Sequence, residues 1–323
     1  MKPKIAVTRE VFQETLDLLA PHFEVSANQP DQTLDADGLA NLMADKTGVI
    51  TSLTDRVDQA LLARCPQLKA VCNIAVGYNN IDVAACSRRG IMVTNTPGVL
   101  DDSTADFAFA LMLAAARRVT EAEAYLRNGE WRRWQLKQLL GIDVHHATLG
   151  ILGMGRIGQA VARRARGFDM RVIYHNRHRL APALEAACDA VYVSQAELLR
   201  SADFVVLLVP YSPATHHLID APELALMKKS AVLINIARGG VVNDQALIAA
   251  LRAKQIAAAG LDVFENEPVF DPGFLKLNNV VLTPHIASAS AATRRNMAET
   301  AARNLIAALS GQCPPNLVNP NEE

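Results

Sequence analysis

The chain has 323 residues, half of them hydrophobic and 20% charged, with 32 Lys plus Arg against 33 Asp plus Glu for a formal net charge of −1. That length predicts two domains of ordinary size, and the balanced charge leaves no overall field to attract nucleic acid or an anionic membrane surface. Five scattered cysteines without C-x-x-C spacing (Cys65, Cys72, Cys86, Cys188, Cys313) fit reduced thiols in a cytoplasm better than a disulfide frame or a zinc site; the longest apolar runs are too short to span a bilayer and the opening MKPKIAVTRE lacks a signal-peptide pattern.

In chain order, the first hundred residues alternate short β-branched runs (KIAVT, GVITS, KAVCNI, IMVTN) with amphipathic segments such as VFQETLDLLA and DQALLARC. Such alternation predicts βαβ units and hence a parallel sheet with helices on its faces. Next, DDSTADFAFALMLAAARRVTEAEAYLRNG carries Asp and Ser ahead of an apolar helical run and a Gly near its end, which predicts one long helix serving as a hinge. A second and larger parallel sheet is expected from ATLGILG, RVIYH, AVYV, FVVLLV, AVLINI, AAAGLDV and NVVLTP. The final helical stretch, ASAATRRNMAETAARNLIAALSG, is expected to return to the first domain. The domains are then 1–100 with 286–323, discontinuous, and 101–285, both α/β and doubly wound. No internal repeat or low-complexity segment interrupts this pattern.

The chemistry begins at GMGRIG. Gly153, Gly155 and Gly158, with Met154, Arg156 and Ile157 between them, follow the apolar run TLGIL and open a helical pattern. Glycines there permit a tight turn and close backbone approach to a pyrophosphate at a helix N-terminus. A bare G-x-G-x-x-G is a weak signal; the flanking strand and helix strengthen it. Three further polar positions each follow an apolar strand: Arg238 after AVLINIA, Asp262 with Glu267 after AAAGL, and His285 after NVVLTP. The C-terminal ends of parallel strands share one edge, so a cation, a carboxylate and an imidazole should lie along it beside the cofactor turn.

These pieces, LGILGMGRIGQAVARR, LINIARGGVVNDQALIAAL, AAGLDVFENEP and LTPHIASAS, together with SLTDRVD, VGYNNID and TNTPGVLDDSTAD, resemble the D-isomer-specific 2-hydroxyacid dehydrogenases over nearly the whole chain. Within that family the chain looks most like the bacterial glyoxylate/hydroxypyruvate reductases that also reduce 2-ketogluconate. The resemblance implies a Rossmann cofactor domain and a smaller flavodoxin-like substrate domain. It implies that Arg238 binds the substrate carboxylate and carbonyl, that Glu267 hydrogen-bonds His285, and that His285 is the acid/base. Asp262 would orient the nicotinamide carboxamide, Thr104 and Pro210 would line the cofactor, and Leu53 with the backbone at Val76 and Gly77 would receive the substrate. It also implies a homodimer, with the NGEWRRWQ segment (Trp131, Trp134) near the partner; packing of that segment within the chain is the other reading. Asn79, Asn243 and Ala287 depart from the family's frequent Asp, Asp and Gly, and Ala287 bears on substrate range.

Residue chemistry agrees with the implied reaction. Reducing a 2-keto acid needs an acid within hydrogen-bond reach of the carbonyl oxygen, which suits His285. A guanidinium such as Arg238 can hold a carboxylate bidentately. An acid that grips the adenosine ribose is expected about 20 residues after the glycine turn, but the chain offers YHNRHR, with His175 in that place, then Asn176 and Arg177, and Arg179 as a second cation. Loss of the acid and gain of a base predict NADP(H) in preference to NAD(H), which stays usable. The paired histidines 145–146 and 216–217 lack a third ligand at useful spacing and are expected at the surface or at helix ends; no metal is expected. Two alternatives stay open: another branch of the family, acting on phosphite, formate or 3-phosphoglycerate, and a dinucleotide-sensing protein like the corepressors that share the fold. Val76, where the phosphite branch carries a basic residue, weighs against that branch.

Overall fold

The computed structural model describes residues 2–319. The chain divides into two compact units, one formed up to Leu100 and again from Ala289 onward, the other by Asp101–Ser288. In chain order the elements of the first stretch are β1 (Lys4–Val7), α1 (Gln13–Leu19), β2 (Glu24–Ala27), α2 (Ala36–Met43), β3 (Gly48–Thr51), α3 (Gln59–Ala63), β4 (Ala70–Asn73), α4 (Val83–Arg88) and β5 (Met92–Thr94). The second unit follows with α5 (Asp101–Ala116), α6 (Val119–Arg127), β6 (Thr148–Leu152), α7 (Arg156–Ala165), β7 (Arg171–His175), α8 (Pro182–Cys188) and β8 (Ala190–Tyr192). It continues through α9 (Gln195–Ser201), β9 (Phe204–Leu207), α10 (Ala221–Leu226), β10 (Val232–Asn235), α11 (Asp244–Arg252), β11 (Ala258–Leu261) and β12 (Val280–Leu282), after which α12 (Ala291–Leu309) belongs to the first unit.

Both sheets are parallel throughout. The first runs β2-β1-β3-β4-β5 and the second β12-β11-β10-β9-β6-β7-β8. Parallel strands covered on both faces read as unbroken apolar runs, and β9 and β10 are buried at every position. Alternate side chains along them serve opposite faces. Phe204, Val206, Val232 and Ile234 pack with α5 and α7, whereas Val205, Leu207 and Leu233 pack with α9, α10 and α11. In the first unit α12 lies against β3 and β4 through Ala298, Ala301, Ala302 and Leu305.

Two elements differ from the expectations above. β2 is a short edge strand, EVSA, with no fully buried residue, so it carries no apolar run to mark it. The long helix expected from DDSTADF onward is two helices, α5 and α6, with Arg118 between them at φ 55°. The cause is distant in sequence. The carbonyl of Ala116, which would continue the helix by accepting from Thr120, accepts from Ile142 N instead at 2.8 Å. Gly141 lets that segment pass: a Cβ there would lie 2.5 Å from Ala116 O. Arg118 then closes the turn with a two-pronged pair to Glu121, both bonds at 2.7 Å.

Candidate active site

The glycine turn stands between β6 and α7, where the strand order reverses across β9-β6-β7. Each glycine answers a different constraint. Gly153 adopts φ 103°, with any Cβ falling 2.7 Å from the Leu208 backbone. A Cβ on Gly158 would meet Gly153 O at 2.5 Å, while one on Gly155 would face open space. Gly155 caps α7 without a side chain, so the first N–H groups of the helix stay open to an anion. Arg156 is exposed and Ile157 half-buried beside it, while Met154 is buried and donates its N–H to Asn176 Oδ1 at 2.6 Å. These residues fit a dinucleotide pyrophosphate.

Three adjacent strands carry the polar group. The pairing of β10, β11 and β12 sets Asn235 opposite Leu261 and Leu261 opposite Leu282, so the residues that follow emerge along one edge. His285 Nδ1 lies 2.7 Å from Glu267 Oε2, and Glu267 Oε1 accepts from Phe264 N at 2.7 Å. With Nδ1 turned to the carboxylate, Nε2 is the ring atom left for a substrate. His285 holds φ 55°, an uncommon conformation for a non-glycine residue, fixed by its N–H donating to Asp262 O at 2.9 Å.

Asp262, expected to orient the nicotinamide carboxamide, is engaged within its own strand-end loop. It is fully buried, and its oxygens accept from Thr283 Oγ1 (2.7 Å), Ile286 N and Ala287 N (both 2.8 Å). It holds the loop that carries His285. Burial raises its carboxyl above the ordinary Asp value, against the lowering effect of those bonds.

Arg238 lies on the same edge; its side chain makes one hydrogen bond, Nη1 to Ala237 O at 2.8 Å, and has no carboxylate within 4.0 Å among the described residues. Burial lowers the pKa of its guanidinium, opposed by the charge of Glu267. A half-buried cation with most of its N–H groups unspent is ready to receive an anion.

The loop after β7 departs from expectation in one respect. Arg177 is exposed and forms no ion pair among the described residues. Arg179, expected as a second cation, is instead engaged through Nε and Nη2 with Glu185, both bonds at 2.8 Å. Glu185 also accepts from Tyr174 Oη at 2.5 Å, and these partners hold its carboxyl down at about 2. His175 stacks on Tyr192 and turns Nδ1 to Val193 O at 2.9 Å. Asn176 spends its side-chain oxygen on the glycine turn.

Of the remaining positions, Thr104 is buried in the first turn of α5, and Pro210, exposed after β9, accepts from Thr215 Oγ1 at 2.8 Å. Leu53 follows β3, and Val76 and Gly77 follow β4, all in the first unit. Asn243 caps α11 by accepting from Ala246 N, a task its oxygen performs as an Asp would. His145 and His146 pack edge to face on the second unit's surface. His216 and His217 stack at 3.8 Å, and His217 Nε2 pairs with Glu265 Oε1 at 2.5 Å, so this pair is built into the turn before α10. No cluster of three or more potential metal ligands occurs among the described residues, nor is any helix there long and apolar enough to cross a membrane. Trp131 and Trp134 are 53% and 73% exposed.

Sequence reasoning missed Glu185, Glu265 and the buried Asp244, which lies at the start of α11 and accepts from Glu265 N at 3.1 Å. It also missed Asn73 and Asn95. The strand-end rule that found Arg238 and His285 in the second sheet would have found those asparagines in the first, in AVCN and VTN.

Residues 109–287 match the family model described as D-isomer specific 2-hydroxyacid dehydrogenase, NAD binding domain. Curated relatives include glyoxylate reductases of Thermococcus gammatolerans and Pyrococcus horikoshii, each 48% identical over 99% of this chain and 96% of the relative. Among solved structures, the NADPH-dependent glyoxylate/hydroxypyruvate reductase of Sinorhizobium meliloti, in complex with NADP and malonate, is 34% identical with a TM-score of 0.89, covering 99% of this chain and 98% of that one. A glyoxylate reductase from Paecilomyes thermophila is also 34% identical, with a TM-score of 0.88 and 98% of both chains covered.

Proposed function

Because the chain belongs to the D-isomer-specific 2-hydroxyacid dehydrogenases, a family of NAD(P)-dependent dehydrogenases, we propose that it reduces small 2-keto acids to D-2-hydroxy acids. Glyoxylate is the first substrate, with hydroxypyruvate and 2-ketogluconate beside it, and NADPH is used in preference to NADH. The observation that carries this reading is the strand-end group: a half-buried guanidinium at Arg238 with no carboxylate partner among the described residues, and the 2.7 Å pair between His285 and Glu267.

When bound, the reduced nicotinamide supplies a hydride to the keto carbon. Arg238 receives the substrate carboxylate and carbonyl oxygen, which aligns the carbon and draws negative charge onto that oxygen. The family resemblance assigns substrate contacts also to Leu53 and to the Val76–Gly77 backbone. His285 donates its Nε2 proton to the developing alkoxide, and Glu267 orients the ring through its contact with Nδ1. Asp262 keeps His285 in its φ 55° conformation through the peptide N–H groups that follow it.

Three features support the preference for NADPH: no acid stands at His175 to repel a 2′-phosphate, Arg177 is free to meet one, and the Sinorhizobium neighbour is NADPH-dependent. The exposed apolar side chains Val119, Leu126, Trp131, Trp134, Leu136 and Leu140 support a homodimer. Steady-state kinetics with glyoxylate, hydroxypyruvate and 2-ketogluconate, each with NADPH and NADH, test the reading. Turnover of none of them refutes it.

A further inference from the structure

The first unit holds a set of asparagines to which the reaction above assigns no role. β4 ends at Asn73, which is fully buried, and β5 is followed by Asn95. Asn95 Nδ2 donates to Val76 O at 2.8 Å, and Asn73 Nδ2 donates to Gly77 O at 3.0 Å. The Asn73 amide is itself held, and Asn95 is held through its backbone. Thr51 Oγ1 donates to Asn73 Oδ1 at 3.2 Å, and Asn73 Nδ2 also reaches Asn80 Oδ1 at 3.3 Å. Asn80 in turn donates to Ser52 O (3.0 Å) and Asp55 O (2.9 Å), tying the loop that bears Leu53 to the loop that bears Val76. The Asn95 carbonyl accepts from Asn304 Nδ2 at 3.1 Å, from within α12.

A trans peptide points its C=O and N–H in opposite directions. Drawing the Val76 carbonyl toward the end of β5 therefore turns the Gly77 N–H away from it. Drawing the Gly77 carbonyl toward the end of β4 does the same to the Tyr78 N–H. Neither N–H has an acceptor among the described residues; both lie in a run, 75–80, whose backbone N–H groups are unpaired there, bounded by Ile74 N and Ile81 N, which are paired at 2.8 and 3.0 Å. Val76 and Gly77 are half-buried and Tyr78 is exposed, so the segment is accessible from outside its own unit's core. Successive N–H groups without acceptors suit an anion.

We propose that Asn95 and Asn73 are positioning residues that aim the Gly77 and Tyr78 N–H groups at the substrate carboxylate. This rests on the 2-keto acid reading above. The asparagines touch no reacting atom; they act through the two peptide planes. An amide is required because it donates to a carbonyl while carrying no charge of its own. A carboxylate at position 95 would face Val76 O with an acceptor, turn the peptide, and place a negative charge near the bound anion.

The test compares Asn95→Asp and Asn95→Ala with the unmodified enzyme. Three quantities are read: KM for glyoxylate, inhibition constant for oxamate as a carboxylate probe, and NADPH dissociation constant by fluorescence titration. Both variants are expected to raise KM and the oxamate constant together, about 10-fold for Ala and more for Asp, since one well-aimed bond to a charged group is worth that order. NADPH affinity stays within about twofold, a split that general loosening of the fold would not produce. Unmoved oxamate inhibition in both variants, or equal loss of oxamate and NADPH binding, overturns the proposal. Failure of the unmodified enzyme to turn over any 2-keto acid is a separate outcome and overturns the functional reading itself.

Discussion

Replacing Arg177 by alanine should weaken NADPH use, whereas replacing Arg179 should barely change it. The two cations stand two residues apart in the same loop, but only Arg177 is free of a carboxylate. A hydrogen bond to a charged group contributes about 1.5 to 3 kcal/mol, and an exposed side chain belongs at the lower end because solvent screens it. Arg177→Ala should therefore lower kcat/KM for NADPH about 10-fold, chiefly through KM, and leave NADH nearly untouched. Arg179 is already bound through two nitrogens to Glu185. Moving it to a phosphate exchanges one anion for another, so Arg179→Ala should change kcat/KM for NADPH by less than about threefold. The assay is initial-rate kinetics with each cofactor at saturating glyoxylate, for both variants and the unmodified enzyme. Equal loss in the two variants refutes the argument from ion pairing, and equal use of NADPH and NADH by the unmodified enzyme refutes the reading of the loop.

Further outcomes follow from the strand-end group and from α11. His285→Gln should retain NADPH binding and lose at least about 10²-fold in kcat, the scale of general acid catalysis; near-normal turnover would remove His285 from that role. Arg238→Lys keeps the charge but loses the planar fork, so steady-state kinetics should show KM raised and kcat lowered for 2-keto acids, and unchanged kinetics would argue against bidentate binding. Asp244 is buried, and desolvation pushes its carboxyl up to about 6. A raised carboxyl pKa means the folded state holds the proton more tightly, so stability falls as pH rises from about 4 through about 6. Asp244→Asn should raise Tm at pH 8, with a ceiling of about 3 kcal/mol from that shift, and should match the unmodified protein at pH 4. A lower Tm at pH 8 in calorimetry refutes it.

The second sheet was legible because its central strands are buried on both faces, so FVVL and VLIN announce themselves as apolar runs; the end of VLIN locates Arg238, and the ends of the next two strands, AAGL and VVL, locate Asp262 and His285. β2 was not legible: at a sheet edge, EVSA needs no apolar pattern to pair with β1. The break at Arg118 was hidden for another reason. Local propensity across LAAARRVTEA favours helix, and the bond that interrupts it comes from Ile142, 26 positions after Ala116. Side-chain partnership was the least legible quantity of all. The basic composition of NRHR is plain in the sequence, but whether each cation is free depends on Glu185, presented by the following helix. Likewise, GLDVF places Asp262 at a strand end without revealing that its oxygens turn inward to the peptides at 286 and 287.

The order β12-β11-β10-β9-β6-β7-β8 sets the glycine turn and the 175–185 loop on one half of a single sheet, and Arg238, Glu267 and His285 on the other, with β9 between them. On the proposed reading, coenzyme choice and proton transfer are thus inherited from separable stretches of chain. An engineer can exchange β7, its loop and α8 as a cassette, residues 171–188, and leave β10 to β12 as they stand. For such a graft, Tyr174 and Glu185 must travel with the arginines, since the loop's shape is set by their bonds to Leu180 N and Arg179 as much as by its charge. A transplant limited to positions 175–177 would carry the charge without the support that presents it.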